Sequence, residues 1–433
     1  MRGSLNRCSL RILTLVLVTG CCATISYSQE ITPVITTDHG PNAPSQLNKP
    51  YVILVSFDGF RYDYPTKYHA EHLLALATQG ASAPQGMLPS YPSVTFPNHY
   101  TIVTGLYPEH HGIVANAFYD PTRKATYSYH DDKAVADGTW YGGTPLWVLA
   151  EQQGMRAASF FWVASDADIQ GVHPSYYLKF DGSIPNAKRV EQVIAWLHLP
   201  PEKRPHFITL YFADADGAGH KYGPDTPQVA DAVHELDYQI GKLEDGIKES
   251  KLPVDLIVVA DHGMAKVEGA PIHLDQAGLD DSLLAASVSS LIYAKSEEDA
   301  QKIYDTLHKN NDKFTVYRRA QMPAHLHYDG NPREGDPIIV PTGPYFITAT
   351  TDPNNPDHPP VGAHGYDPTK MPEMKAIFFA AGPDIRSGVS VEPFENINIY
   401  PLIAKILGLD ISNLKTGPID GKLDVLQGIL KTR

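Results

Sequence analysis

The 433-residue chain has only three cysteines, and all of them (Cys8, Cys21 and Cys22) lie in its first 28 residues. A domain folded from the remainder can hold no disulfide, even in an oxidising compartment. There is no Asn-x-Ser/Thr acceptor, so N-glycosylation is excluded as well. Long apolar runs are also missing. Ile12-Leu-Thr-Leu-Val-Leu-Val18 is too short to span a bilayer, and no later segment could serve. Positive charge is in deficit, with 35 Lys and Arg against 49 Asp and Glu. The net charge of −14 argues against nucleic-acid duplexes as partners. Small anionic substrates stay open, because bound dications would set the local field.

The composition is that of a globular protein, with 42% hydrophobic and 19% charged residues and no repeat or low-complexity tract. The length suits one large α/β domain or two ordinary ones. Arg2, Arg7 and Arg11 ahead of the Ile12–Val18 run read as an export signal. Ser26-Tyr-Ser28 offers a small-x-small cleavage before Gln29, which is the favoured route. Val18-Thr-Gly-Cys21 competes as a bacterial lipobox that would leave a lipid anchor on Cys21. The missing cysteines and acceptors favour a periplasmic or secreted bacterial protein. The expected order is a signal peptide over 1–28, a flexible leader rich in Thr, Pro, Asn and Ser over 29–48, a single domain over 49–412 and a tail over 413–433.

Runs of β-branched residues predict strands at 51–57, 207–212, 254–260 and 376–380. Val229, Val233, Leu236, Ile240, Leu243 and Ile247 recur at helical spacing. They predict a helix over 227–248 with Thr226 as N-cap and Pro227 at its first position. Shorter helices are expected near 69–79 and 399–407, a βα-like pattern over 144–160 and a βαβ excursion from Leu291 to about 318. Residues 320–366 are turn-rich and read as extended loops. Such alternation predicts an α/β fold whose mostly parallel central sheet carries helices on both faces. The loops are too closely interleaved with it for a second independent domain.

Chemistry gathers where the strands end. Asp58 follows the first strand, Asp216-x-x-x-His220 the second and Asp261-His262 the third. In open α/β sheets the reactive crevice lies at the carboxyl ends of the strands. With His364 these make a mixture of carboxylates and imidazoles that suits zinc better than magnesium or calcium. Six ligands and the Thr95 hydroxyl suffice for two metals flanking an in-line phosphoryl displacement. Thr95 would be the nucleophile, since an alcohol beside a cation loses its proton readily. Singly, each residue has a plainer reading: Asp58 as a turn former, Asp261-His262 as a hydrogen-bonded loop pair. His99, His110 and His111 read as structural.

Ser-Phe-Asp58-Gly, Pro-Ser-Val-Thr95-Phe-Pro-Asn-His-Tyr, Asp216-x-x-Gly-His220-x-x-Gly-Pro, Asp261-His-Gly-Met and His364-Gly-Tyr-Asp follow one another along the chain. In this order, with Phe-Phe-Trp162-x-x-Ser-Asp166 and Pro-Phe-Glu-Asn-Ile-Asn-Ile-Tyr400, they resemble the ectonucleotide pyrophosphatase/phosphodiesterases of the alkaline phosphatase superfamily, in their compact bacterial form. The resemblance covers about 50–410 and implies an alkaline phosphatase-like fold. It implies two Zn2+ ions, one held by Asp58, Asp261, His262 and the Thr95 oxygen, the other by Asp216, His220 and His364. By the same resemblance Asn116 donates to a non-bridging phosphate oxygen. Phe96 and Tyr211 sandwich a base or other leaving-side group, with Phe180 at a further aromatic position. Nucleotide phosphodiester or pyrophosphate bonds would be cleaved through a phosphothreonine, releasing nucleoside 5′-monophosphates. The Asp166–Tyr177 segment favours nucleotide substrates, although Val163-Ala164 stands where Pro-Gly is usual. A monoesterase of the same superfamily would need cations that Trp162–Asp168 lacks. A choline-phosphodiester hydrolase remains an alternative. A silent zinc-binding or adhesion protein is disfavoured, since the nucleophile and every ligand are present. The expected state is a monomer or homodimer.

Overall fold

The computed structural model describes residues 33–310, 312–349 and 359–432. The signal segment, its cleavage site and Cys21 lie outside these. At the centre is a nine-stranded sheet. Its order is Ile35–Thr36, Tyr176–Tyr177, Ala157–Phe160, Phe207–Phe212, Tyr51–Phe57, Val254–Val259, Phe378–Ala381, Ala81–Ser82 and Val389–Ser390. The five strands from Tyr176–Tyr177 to Val254–Val259 run parallel. Ile35–Thr36 and Phe378–Ala381 flank them antiparallel, so the sheet is mixed at its margins. Every residue of Tyr51–Phe57 and Val254–Val259 is buried. Both strands are covered on two faces, which is why Tyr51–Val55 and Leu256–Val259 within them read as apolar runs without alternation.

Helices Glu71–Gln79 and Asn186–Leu197 both pack against Pro227–Ser250 and against the sheet, and Ile399–Leu407 packs against Thr95–Thr104 and the strand Tyr51–Phe57. The predicted stripe on the longest helix is buried from Val229 to Leu243, and Ile247 is half-buried. Thr226 occupies the N-cap position, but its hydroxyl donates to the Gly223 carbonyl and caps no backbone N–H.

Several expectations need correction. Over 144–160 the order is helix (Leu146–Gln152) and then strand. The described part of the leader is tied down: Asn42 is buried, donates to the Pro201 and Arg204 carbonyls and accepts from the Arg156 N–H. Polar composition concealed this, because the leader docks through hydrogen bonds. The tail likewise packs back, burying Leu426 and Ile429 in the main core. Leu291–Ala294 and Phe314–Tyr317 are not partners in a parallel unit. Each pairs antiparallel elsewhere, with Leu284–Val288 and Ile338–Pro341. This excursion has a small core of its own, including Leu274, Ile292, Ile303, Phe314 and Ile339.

Candidate active site

Three neighbouring parallel strands end at one place and deliver three carboxylates. Asp58 follows Tyr51–Phe57 directly, Asp261 lies two residues past Val254–Val259, and Asp216 sits in the first turn of the helix Asp214–Tyr222 beyond Phe207–Phe212. Their approach depends on Gly59, whose φ is +65°. A β-carbon there would stand 2.8 Å from the Asp216 Cα and 2.9 Å from its Oδ1, so no other residue fits. The Gly59 N–H donates to Asp261 Oδ1 at 3.1 Å and joins the first and third strands. Asp216 and His220 share a helix face at i,i+4. His364 arrives on a loop secured by pairing of Gly362–Ala363 with Ala265–Lys266.

Imidazole orientation defines the cluster. Nδ1 of His262 lies 2.9 Å from the Gly263 carbonyl, Nδ1 of His220 2.8 Å from that of Gly362, and Nδ1 of His364 2.9 Å from that of Ser93. A carbonyl only accepts, so each Nδ1 carries a hydrogen and Nε2 is the ring nitrogen turned inward. His262 Nε2 faces Asp261 Oδ2 at 2.9 Å, Thr95 Oγ1 at 3.3 Å and Asp58 Oδ1 at 3.6 Å. His220 and His364 Nε2 are 3.2 Å apart and lie 3.3 and 3.6 Å from Asp216 Oδ1. The buried Asp58 Oδ1 and Asp216 Oδ1 have no protein donor. Carboxylates and inward-turned Nε2 atoms meeting at one place fit a site for cations, and backbone carbonyls fixing the far ring nitrogens are the usual support of metal-binding histidines. The donor atoms of Asp216, His220 and His364, and those of Asp58, Asp216 and His262, fall within 4.8 Å of one another.

The charges perturb one another strongly. Burial, then Asp261 and Asp216, pushes Asp58 well above the usual carboxylate range. Burial also raises Asp216. For Asp261 burial opposes ionisation, but His262 and His99 prevail and hold it well below its ordinary value. Burial, then His262 and His220, keeps His364 neutral. These directions belong to the protein's own charges, and cations placed among the carboxylates would relieve the repulsion that raises Asp58.

Thr95 opens the helix Thr95–Thr104, at the positive end of its dipole. Asn116 Oδ1 accepts from the Phe96 N–H at 2.9 Å, which leaves Nδ2 as its remaining donor group. The Phe96 ring lies 5.6 Å from that of Tyr129, a residue without a sequence signal because the hairpin of Ala117–Asp120 and Ala125–Ser128 brings it in. Phe180 is 61% exposed with its ring 6.0 Å from that of Tyr211. Tyr211 differs in kind: its hydroxyl donates to Asp58 Oδ2 at 2.5 Å. Of the three histidines read as structural, His99 is buried beside the cluster, its Nδ1–H on the Thr95 carbonyl and its Nε2 accepting from Ser56. It therefore turns no lone pair to the site. His111 is buried against Thr101, and His110 pairs with Asp420.

Comparison with known proteins agrees with this arrangement. Residues 52–367 match the family described as type I phosphodiesterase/nucleotide pyrophosphatase. Human ectonucleotide pyrophosphatase/phosphodiesterase family member 1 is 33% identical over 405 residues, covering 90% of this chain and 43% of that protein. The chain thus spans less than half the length of the first mammalian relatives it matches. An uncharacterised pyrophosphatase/phosphodiesterase of Schizosaccharomyces pombe is 32% identical over 419 residues, covering 93% of this chain and 84% of that one. Among solved structures, an inactive threonine-to-alanine variant of murine ectonucleotide pyrophosphatase/phosphodiesterase 5 in complex with AMP superposes with a TM-score of 0.81. It is 30% identical and covers 88% of this chain and 100% of its own.

Proposed function

This chain belongs to the type I phosphodiesterase/nucleotide pyrophosphatase family, and from that premise we propose that it hydrolyses phosphodiester or pyrophosphate bonds of nucleotides and their derivatives, releasing nucleoside 5′-monophosphates. The observation that carries the reading is the convergence of three imidazole Nε2 atoms and three carboxylates where the strands end, with the Thr95 hydroxyl 3.3 Å from His262 Nε2. Asp58, Asp261, His262 and Thr95 would hold one zinc ion, and Asp216, His220 and His364 a second. Bound there, two zinc ions would make the Thr95 alcohol acidic and neutralise charge on the phosphoryl oxygens. Thr95 Oγ1, its proton given up, attacks phosphorus, its bond forming as that to the leaving oxygen breaks and the leaving oxygen takes up a proton. Water then attacks the phosphothreonine diester, the Oγ1–P bond breaks, and the Thr95 hydroxyl is restored as the nucleoside 5′-monophosphate departs. Asn116 Nδ2 donates to a non-bridging oxygen as negative charge grows on it. Phe96 and Phe180 provide the aromatic faces for a base, the class of ligand that the AMP complex of the murine relative contains. No helix among the described residues is long and apolar enough to cross a membrane. The reading places the protein outside the cytoplasm, periplasmic or secreted.

Two substitutions separate these roles. Asn116→Ala is expected to lower kcat by roughly 10²-fold, as loss of an oxyanion donor does, with zinc content unchanged. Phe180→Ala is expected to raise KM for a nucleotide diester with kcat little altered, since base stacking is worth about 1–3 kcal/mol. Steady-state kinetics with metal analysis checks both.

The deciding experiment compares thymidine 5′-monophosphate p-nitrophenyl ester with p-nitrophenyl phosphate as substrates of zinc-loaded protein. Strong preference for the diester supports the reading. Preference for the monoester would assign the site to a phosphatase.

A further inference from the structure

Tyr211 enters the site as an aromatic ring, yet its closest engagement is polar. Its hydroxyl donates to Asp58 Oδ2 at a short 2.5 Å. The other oxygen, Asp58 Oδ1, has no donor and is directed at His262 Nε2, 3.6 Å away. The tyrosine thus decides which carboxylate oxygen is engaged by protein and which faces the cluster. Tyr211 is itself held in place. It lies on the strand Phe207–Phe212, its carbonyl accepts from Arg189 Nη1, and its ring packs edge-on to His99 at 5.3 Å and to Phe180 at 6.0 Å. The paired strand carries Ser56 opposite Tyr211, and the hydroxyl reaches Asp58 two residues further on, just past the end of the ladder.

We propose that Tyr211 is a positioning residue, which fixes the rotamer of Asp58 through its hydroxyl and thereby sets the metal-facing oxygen beside Thr95, while its contribution to substrate stacking is minor. The proposal rests on the zinc-dependent reading above, in which Asp58 is a ligand. Hydrogen-bond partners of metal ligands are worth about 10- to 100-fold in metal affinity or activity. A stacking role, by contrast, resides in the ring and would be indifferent to the hydroxyl.

Tyr211→Phe removes the hydroxyl and keeps the ring. Zinc affinity is measured by calorimetric titration of chelator-stripped full-length protein, and diester kinetics on the reloaded enzyme. The expected result is zinc binding weakened about 10- to 100-fold and kcat lowered to a similar extent, with KM for the nucleotide diester within about twofold of wild type. Unchanged zinc affinity and kcat would overturn the proposal. Phe180→Ala is the companion variant, since it removes the neighbouring ring and leaves the hydroxyl. It should raise KM and leave zinc affinity alone, and a fall in its zinc affinity equal to that of Tyr211→Phe would also overturn the proposal. Because zinc affinity is read without turnover, the two readings separate. A wild-type protein that binds zinc but does not cleave the diester loses the functional reading, while weaker zinc binding by Tyr211→Phe still upholds the role of Tyr211.

Discussion

Thr95→Ala is expected to reduce turnover of a nucleotide diester by on the order of 10³-fold or more while leaving fold and zinc content intact. The side chain is small and half-buried at the first turn of its helix, and no backbone hydrogen bond depends on its hydroxyl. Its Oγ1 makes a hydrogen bond of 3.3 Å with His262 Nε2. His262 is secured independently through the Gly263 carbonyl, so alanine at position 95 should not disturb it. Single-turnover experiments sharpen the test. Wild type should acquire label from a phosphorus-labelled diester, and the variant none. Turnover retained by Thr95→Ala would remove it from the role of nucleophile.

Chelation is expected to have the other large effect. Stripped protein should fall to background activity and recover with zinc but not with calcium or magnesium, because three imidazoles in the ligand set disfavour cations that prefer oxygen alone. Stability should move with activity, since a ligand at 100 times its Kd adds about 2.7 kcal/mol to the folded state. The melting temperature of stripped protein should therefore be lower and should rise with added zinc. Proton release gives an independent check. Asp58 in the metal-free protein is raised well above the usual range by burial, then by Asp261 and Asp216, so it tends to hold a proton that a cation must expel. The apparent enthalpy of zinc binding should depend on the ionisation enthalpy of the buffer. Independence from the buffer would count against Asp58 as a ligand.

The strands that end at the site are legible because they are buried on both faces, so Tyr51–Val55 and Leu256–Val259 announce themselves as apolar runs. The carboxylates stand out because each follows such a run. Phe96 and Phe180 are legible as aromatic positions only through the family motif. The second role of Tyr211 is not, since a hydroxyl bonded to a residue on the neighbouring strand leaves no trace in local spacing. His99 recurs four residues after Thr95, which signals a shared helix face, but not which ring nitrogen is turned inward. The docked leader and tail escape detection for the opposite reason: their polar composition matches free chain, and what secures them is a distant partner. The excursion core is hidden because its strands are short and its partners far apart in sequence.

The wide spacing of the ligands along the chain bears on the order in which this protein matures. Gly59 and Asp261, joined by a hydrogen bond, are 202 residues apart, and the carbonyl of Ser93 anchors His364 across 271 residues. No stretch of nascent chain short of position 364 contains the whole set. Contacts this distant in sequence cannot form until the strands that carry them have paired, so the complete ligand set depends on the long-range topology of the sheet. Zinc capture therefore becomes a report that the chain extends through His364 and has its topology in place, and a chain truncated before His364 or misfolded should fail to retain the metal.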